Sequence, residues 1–242
     1  MSQVHPRSET QKRLMAMAAM YVEETYVLDE LAQVIRPSED DHDLVMAEVD
    51  DYFLRLDMNF APEVKVDCLE ILQEIWHVVD RDSALKALKN LREQGQRDKF
   101  KQLAQFTNDI TKFKQLFLFE FAHPEEVQID DKGFQSLAEW LKKASSYVPE
   151  CGILAWDVAR YVHLVRLCFM GQILEAEECW QQVDLIEPLV EGQFKDWMQF
   201  SQSYLIGLTF WSGQEDPYIK ASCERLLGYE VSPWKFYPWS EL

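Results

Sequence analysis

Residues 152–171 form the longest apolar stretch of the chain, yet they include Asp157, Arg160, His163 and Arg166. Four ionisable groups would make insertion of this stretch into a bilayer costly, so it reads as a buried helix. A helix that is apolar nearly all round needs cover on every side. It therefore belongs at the centre, with the other helices packed about it.

The rest of the sequence supplies that cover. Only 8 glycines and 9 prolines punctuate 242 residues, and the apolar spacing is helical almost throughout. Residues 10–36 repeat Leu14, Met17, Tyr21, Leu28, Leu31 and Ile35, then stop before Pro37. Val45, Val49, Tyr52, Phe53 and Leu56 mark a second helix; Leu69, Leu72, Ile75, Trp76 and Val79 mark a third. Asp80 or Asp82 is placed to cap the helix carrying Leu85, Leu88 and Leu91, which closes near Gly95. Phe100 to Phe117 read as one longer helix, and Asp130 or Asp131 opens another. Further helices are expected around 175–190, 194–211 and 217–227. No strand pair with hairpin signals occurs. The expected fold is all-α: a compact multi-helix bundle around the central helix at about 152–171, with an extended aromatic C-terminal tail. Residues 1–60 read as an acidic N-terminal helical segment and 61–242 as the main helical domain, with a linker at 38–43.

Six of the eight tryptophans fall after residue 150, and rings of that size dominate any core they enter. The tail at 232–239 carries Trp234, Phe236, Tyr237 and Trp239 between Pro233 and Pro238. It is expected to lie back over the core, because exposed aromatic patches of this size are rare on monomers.

With 42 acidic and 24 basic residues, the formal charge is −18. Such a field repels nucleic acid and anionic lipid and attracts a basic protein. Residues 20–60 hold twelve acids and two basic residues, more than half of the net charge. Residues 81–115 reverse the balance, which reads as a solvated helix face with local charge partners. The five cysteines are widely spaced without zinc or disulfide patterning, which fits a reducing compartment. No signal peptide is visible, and a cytoplasmic location is expected.

Candidate chemistry is sparse. Asp157 and Arg160 stand three apart and can meet, and a structural ion pair is the simplest reason for two charges on a buried helix. On that reading Arg160→Ala costs several kcal/mol by orphaning the carboxylate, on the order of a broken buried pair. His163 reads as a core or rim histidine, since successive steps of three drift around a helix and give no convergent face. The five histidines show no metal-ligand spacing. Glu175, Glu177 and Glu178 suit a helix start better than a metal site. Cys151 sits near a helix start, a weak hint of reactivity. No phosphate loop or nucleophile elbow occurs. No metal, cofactor or catalytic residue is therefore expected.

Four segments in order carry a resemblance. They are Trp76-His77-Val78 with the leucine helix ending at Gly95-Gln96, then Ala155-Trp156-Asp157-Val158-Ala159-Arg160. Ser203-Tyr204-Leu205-Ile206-Gly207 through Trp211 follows, and Ser232-Pro233-Trp234 to Pro238-Trp239 closes the series. Over about residues 65–242 the chain resembles the bacterial family labelled domain of unknown function 1266. In that pattern glycine and histidine stand at positions 77 and 96. The resemblance implies a helical domain and no established reaction.

The function expected from these readings is non-enzymatic binding of a basic protein partner, most specifically as an immunity protein that blocks an antibacterial toxin. Its expected contact residues are Glu23, Glu24, Asp29, Glu30, Glu39, Asp40, Asp41, Asp43, Glu48, Asp50 and Asp51. Trp156, Asp157, Arg160, Trp211, Trp234 and Trp239 are expected to be structural. A helical adaptor of stress or chaperone-linked assemblies is the alternative. Neither nucleic acid nor membrane is expected as a partner.

Overall fold

A computed structural model describes residues 4–24, 26–34, 42–57, 64–121 and 129–239. Among the described residues every regular element is helical: α1 (Glu9–Ala16), α2 (Ala19–Glu23), α3 (Val27–Val34), α4 (His42–Phe53), α5 (Val64–Glu74), α6 (Arg81–Glu93), α7 (Arg97–Ala104) and α8 (Ile110–Phe121), then α9 (Asp131–Ser145), α10 (Leu154–Met170), α11 (Ala176–Asp184), α12 (Glu187–Val190), α13 (Trp197–Ser212), α14 (Pro217–Gly228) and α15 (Pro233–Phe236). None of them is long and apolar enough to cross a membrane.

The apolar helix is central. α10 packs against α13, α6, α5 and α11, and residues on all its sides are buried, from Leu154 to Cys168. Its closest neighbour is α13, and two small residues make that contact possible. Ser203 Oγ donates to the Gly152 carbonyl at 2.8 Å and accepts from the Ala155 N–H at 3.3 Å. It thereby serves the start of α10, where Ile153 offers no side-chain cap. One turn on, a Cβ at Gly207 would lie 2.3 Å from the Trp156 Cβ. Only glycine lets the two backbones approach this closely.

Caps end and begin the outer helices where short polar residues allow. Asp80 accepts from the Ser83 N–H in a capping box, and Asp130 accepts from the Gly133 N–H at 2.8 Å. Glu175 and Glu178 form a second capping box on α11, while Glu177 pairs with Arg7 and Glu178 with Arg81. The three glutamates are thus helix-start and surface ion-pair residues.

Several expected helices are interrupted. The stretch 10–36 breaks into α1, α2 and α3, with Tyr26 in the left-handed region at φ 62°. Apolar periodicity is blind to such a break, because the spacing resumes in phase on the other side. The long helix from Phe100 to Phe117 divides into α7 and α8 around the turn at 105–109. His77 takes φ 54°, at a position where the resembling pattern has glycine; histidine is among the residues that tolerate that region. Most of the linker expected at 38–43 lies outside the described residues, and His42 and Asp43 already belong to α4.

The aromatic tail lies on the body, and it is not wholly extended. Pro233 occupies the first turn of α15, where its missing N–H costs nothing. Trp234 stacks on Trp197 with ring centroids 5.0 Å apart, and Trp239 meets Trp197 edge-on at 4.8 Å. Both indoles of that stack are satisfied: Trp197 Nε1 donates to the Tyr237 carbonyl at 2.8 Å and Trp234 Nε1 to the Ala16 carbonyl at 2.9 Å. Residues 14–20 are fully buried in the same core as α10, so the N-terminal helices and the later helices share one interior.

Adding a methyl group at the α10–α13 contact is expected to overpack it. Gly207→Ala should lower unfolding free energy by about 1–3 kcal/mol in urea titrations. Gly228→Ala, with open space around its added carbon, should be at least as stable as the wild type.

Candidate functional site

The central helix carries one fully satisfied carboxylate. Asp157 is 1% exposed and accepts four N–H bonds. Gln96 N donates to Oδ1 at 2.8 Å and Arg97 N to Oδ2 at 3.0 Å; Arg97 Nη1 reaches Oδ2 at 3.1 Å and Arg160 Nη2 reaches Oδ1 at 2.9 Å. Two of these donors are orphan amides at the start of α7, so a side chain 60 residues away caps that helix. Gly95 permits the approach: at φ 60°, its Cβ would sit 2.1 Å from Asp157 Oδ2. Arg97 is further tied to the carbonyls of Leu91 and Arg92.

Arg160 behaves differently. It gives one Nη2 bond to Asp157 and lies over the Trp156 ring at 4.6 Å and the Trp76 ring at 5.8 Å. Its Nε–H has no partner. Trp156, Arg160 and His163 follow at i, i+4 and i+7, which puts them on one face of α10. The expectation of no convergent face came from stepping by threes through Asp157. Stepping from Trp156 is the register that the structure uses.

That face forms one wall of a cleft of about 750 Å³. α13 contributes Tyr204, Leu208 and Trp211, again at i, i+4 and i+7. α2 adds Tyr21 with Glu24 just beyond it, α5 adds Ile71 with Ile75 and Trp76 after it, and α14 adds Ile219, Ser222 and Arg225. The aromatic lining is continuous: Trp156 meets Tyr204 at 5.3 Å and Trp211 at 5.8 Å, and Tyr21 stacks on His163 at 4.1 Å. Tyr21 meets Tyr204 edge-on with ring centroids 6.3 Å apart, and burial pushes the Tyr21 phenol up to about 12. Burial pushes His163 down to about 3, and positive Arg166 adds to the effect. The imidazole is therefore neutral.

Four cleft-lining side chains hold buried polar atoms without a partner: Gln96 Oε1, Trp156 Nε1, Arg160 Nε and His163 Nδ1. Native proteins leave few such atoms unmet. Around the mouth stand Tyr26, Ile71, Ile75, Trp211 and Tyr218, all exposed large apolar residues. Trp211, expected to be structural, is 56% exposed. It is shelved on Trp156 at the opening instead of sealed in the core, because α13 ends at Ser212 beside it.

The expected acidic contact surface is partly internal. Glu23 is fully buried, pairs with Arg225 and accepts from the Leu28 N–H at 2.9 Å. It sits on the inward face of a short helix and is no surface contact. Asp29 accepts from the Tyr229 hydroxyl; Asp50 accepts from Tyr237 and pairs with Lys12 at 3.1 Å; Asp51 pairs with Arg55 at 3.2 Å. Glu24, Glu30, Asp43 and Glu48 are exposed. Glu39, Asp40 and Asp41 lie outside the described residues.

Among the described residues no group of three His, Cys, Asp or Glu side chains is placed to hold a metal ion. All five cysteines are free and buried. Cys151 is no reactive thiol: burial pushes it up to about 11.

Residues 71–239 match the family described as "Protein of unknown function (DUF1266)", and the chain belongs to that family. It is similar to the uncharacterized protein YbeR of Escherichia coli (strain K12), at 22% identity over 152 residues. That match covers 63% of this chain and 61% of YbeR, so the chain spans less than two thirds of the relative. No solved structure matches the chain. The matched region contains Trp76, Trp156, Arg160, Tyr204 and Trp211; Tyr21 and Glu24 precede it.

The bonding pattern separates two neighbouring charges. Asp157→Ala should cost about 3–5 kcal/mol, since it leaves the Arg97 charge without its carboxylate and two amides unpaired in the interior. Arg160→Ala should cost about 1–2 kcal/mol, mostly its ring contacts, because Asp157 keeps three donors. This replaces the larger loss expected from sequence, and chemical denaturation of the two variants checks it.

His163 gives a pH signature. Its folded pKa lies below the unfolded value, so below about pH 6.5 the unfolded chain takes up a proton that the folded chain refuses. Stability is then lost as pH falls from 6.5 towards 3. Between pH 6.5 and 5 the wild type should lose about 1–2 kcal/mol more than His163→Phe, which keeps a ring against Tyr21. Paired urea titrations at the two pH values measure the difference.

Proposed function

We propose that the protein is a non-enzymatic binding protein whose recognition site is the aromatic cleft between α2, α5, α10, α13 and α14. The observation that carries this reading is the set of four unpartnered polar atoms on side chains lining one cleft, behind a mouth ringed by exposed aromatic and aliphatic side chains. A pocket of this size with few polar groups among aromatic walls suits capture of an organic group. Catalysis is disfavoured by the same geometry. The Asp157 carboxylate is saturated by four donors and has no lone pair directed at the cleft for a proton transfer, and a histidine with a pKa near 3 is a weak base at neutral pH.

A ligand-observed NMR screen with a general fragment set tests the proposal. Aromatic fragments should bind and compete with one another, and Trp211→Ala should weaken them at least tenfold while leaving the melting temperature within a few degrees. An absence of hits, or hits indifferent to Trp211→Ala, would contradict it.

Charge favours a second reading, in which the protein neutralises a basic protein, most specifically a toxin as its cytoplasmic immunity partner. Glu24, Glu30, Asp43 and Glu48 remain on the surface within a chain of net charge −18. Electrostatic steering to such a partner would weaken steeply with salt. The helical adaptor reading would show several partners with little salt dependence.

A further inference from the structure

The cleft is electrically lopsided. At its floor Asp157 meets two guanidinium groups, Arg97 and Arg160, so this cluster keeps one net positive charge. Arg160 is the member that lines the cleft, with its Nε–H unpaired. Beside it the Trp156 indole, 4% exposed, also holds an unpaired N–H. The π faces of Trp76 and Trp156 already carry the Arg160 cation, so a second cation at this depth would meet repulsion.

The mouth has the opposite sign. Arg225 is neutralised there by Glu23 and covers Tyr26 at 4.3 Å. Glu24 and Asp216 also line the cleft, and among the described residues neither is in an ion pair. Asp216 Oδ1 caps α14 through the Tyr218 and Ile219 N–H groups, which leaves its second oxygen over. Desolvation by the surrounding protein and, after it, the nearby Asp216 charge raise Glu24, although its side chain still reaches the surface.

We propose that the cleft selects an aromatic ligand with an anionic group at one end and a cationic group at the other. The anion pairs with the part of the Arg160 guanidinium that is open to the cleft. The ring lies among Trp76, Trp156, Tyr204 and Trp211, and the cation sits between Glu24 and Asp216 at the mouth. The proposal rests on the cleft being the recognition site, and it names the chemistry that the site takes. A neutral aromatic leaves both the Arg160 charge and the carboxylate pair unanswered. A purely cationic aromatic leaves Arg160 unanswered. A purely anionic one leaves the carboxylate pair repelling.

Four rigid benzene derivatives separate these cases in isothermal titration calorimetry: 4-(aminomethyl)benzoate, 4-methylbenzoate, 4-methylbenzylamine and 4-methylbenzyl alcohol. The dipolar compound should bind tightest, with each singly charged analogue about tenfold weaker, as expected for the loss of one charge-assisted bond. Arg160→Gln should bring the dipolar compound down to the level of the benzylamine. Glu24→Gln combined with Asp216→Asn, which keeps a capping side chain, should bring it down to the level of the benzoate. Circular-dichroism melting confirms that both variants are folded. The proposal is overturned if the alcohol binds as tightly as the dipolar compound, if a singly charged analogue binds best, or if Arg160→Gln leaves the order unchanged. Silence from all four compounds overturns it as well. If aromatic fragments still bind in the general screen, the cleft survives as a site and only its charge selectivity falls; with no fragments either, both fall together.

Discussion

Four N–H donors closing on the Asp157 carboxylate hold the rest of this structure in register. A buried carboxylate is tolerable only when its charge is matched and its lone pairs are met. Here the matching groups come from two separate parts of the chain. The Gln96 and Arg97 amides belong to the opening of α7, and Arg160 lies one turn along α10. The bond set therefore ties an outer helix to the central one at a fixed angle, and Gly95 is the residue that lets the backbone come close enough. On the opposite contact Gly207 and Ser203 do the same for α13. The central helix is gripped at both contacts by groups of which it supplies only one partner.

That grip has a consequence for recognition. Arg97 alone can balance the Asp157 charge, which leaves Arg160 with capacity to spare. Its guanidinium is presented to the cleft between two indoles, and Gly207 leaves room for Trp156 on the α13 side. Trp211 then leans on Trp156 at a tilt from the last turn of α13 and extends the aromatic wall to the surface. One set of contacts thus builds both the interior and the wall of the opening. Structural and binding roles meet in Trp156, and they divide between Asp157 and Arg160.

Much of this was legible from residues alone. The helical class, the central position of 152–171, the Asp157–Arg160 contact and a tail laid over the body all follow from spacing and composition. The cleft does not, because it depends on Tyr21, Trp76, Tyr204 and Arg225, which come from three different helices and the turn after α5. The i, i+4, i+7 series Trp156–Arg160–His163 was a readable signal, and the parallel series Tyr204–Leu208–Trp211 was its counterpart. Apolar periodicity hides both, since an aromatic residue lining an opening has the same spacing as one in a core. Charge was misleading for a similar reason. Glu23 and Asp50 look like surface acids in a one-dimensional count, and only the fold brings Arg225, Lys12 and Tyr237 to them. The break between α2 and α3 falls at the left-handed Tyr26, which composition does not announce.

Amide hydrogen exchange at Gln96 and Arg97 tests the central interaction most directly. Amides at the start of a helix have no partner within it and ordinarily exchange quickly. With Asp157 accepting from both, they should exchange only through global unfolding, as slowly as the amides in the middle of α10. Exchange at the rate of an exposed loop would mean that the carboxylate does not hold them, and the account of Arg160 as a displayed charge would go with it.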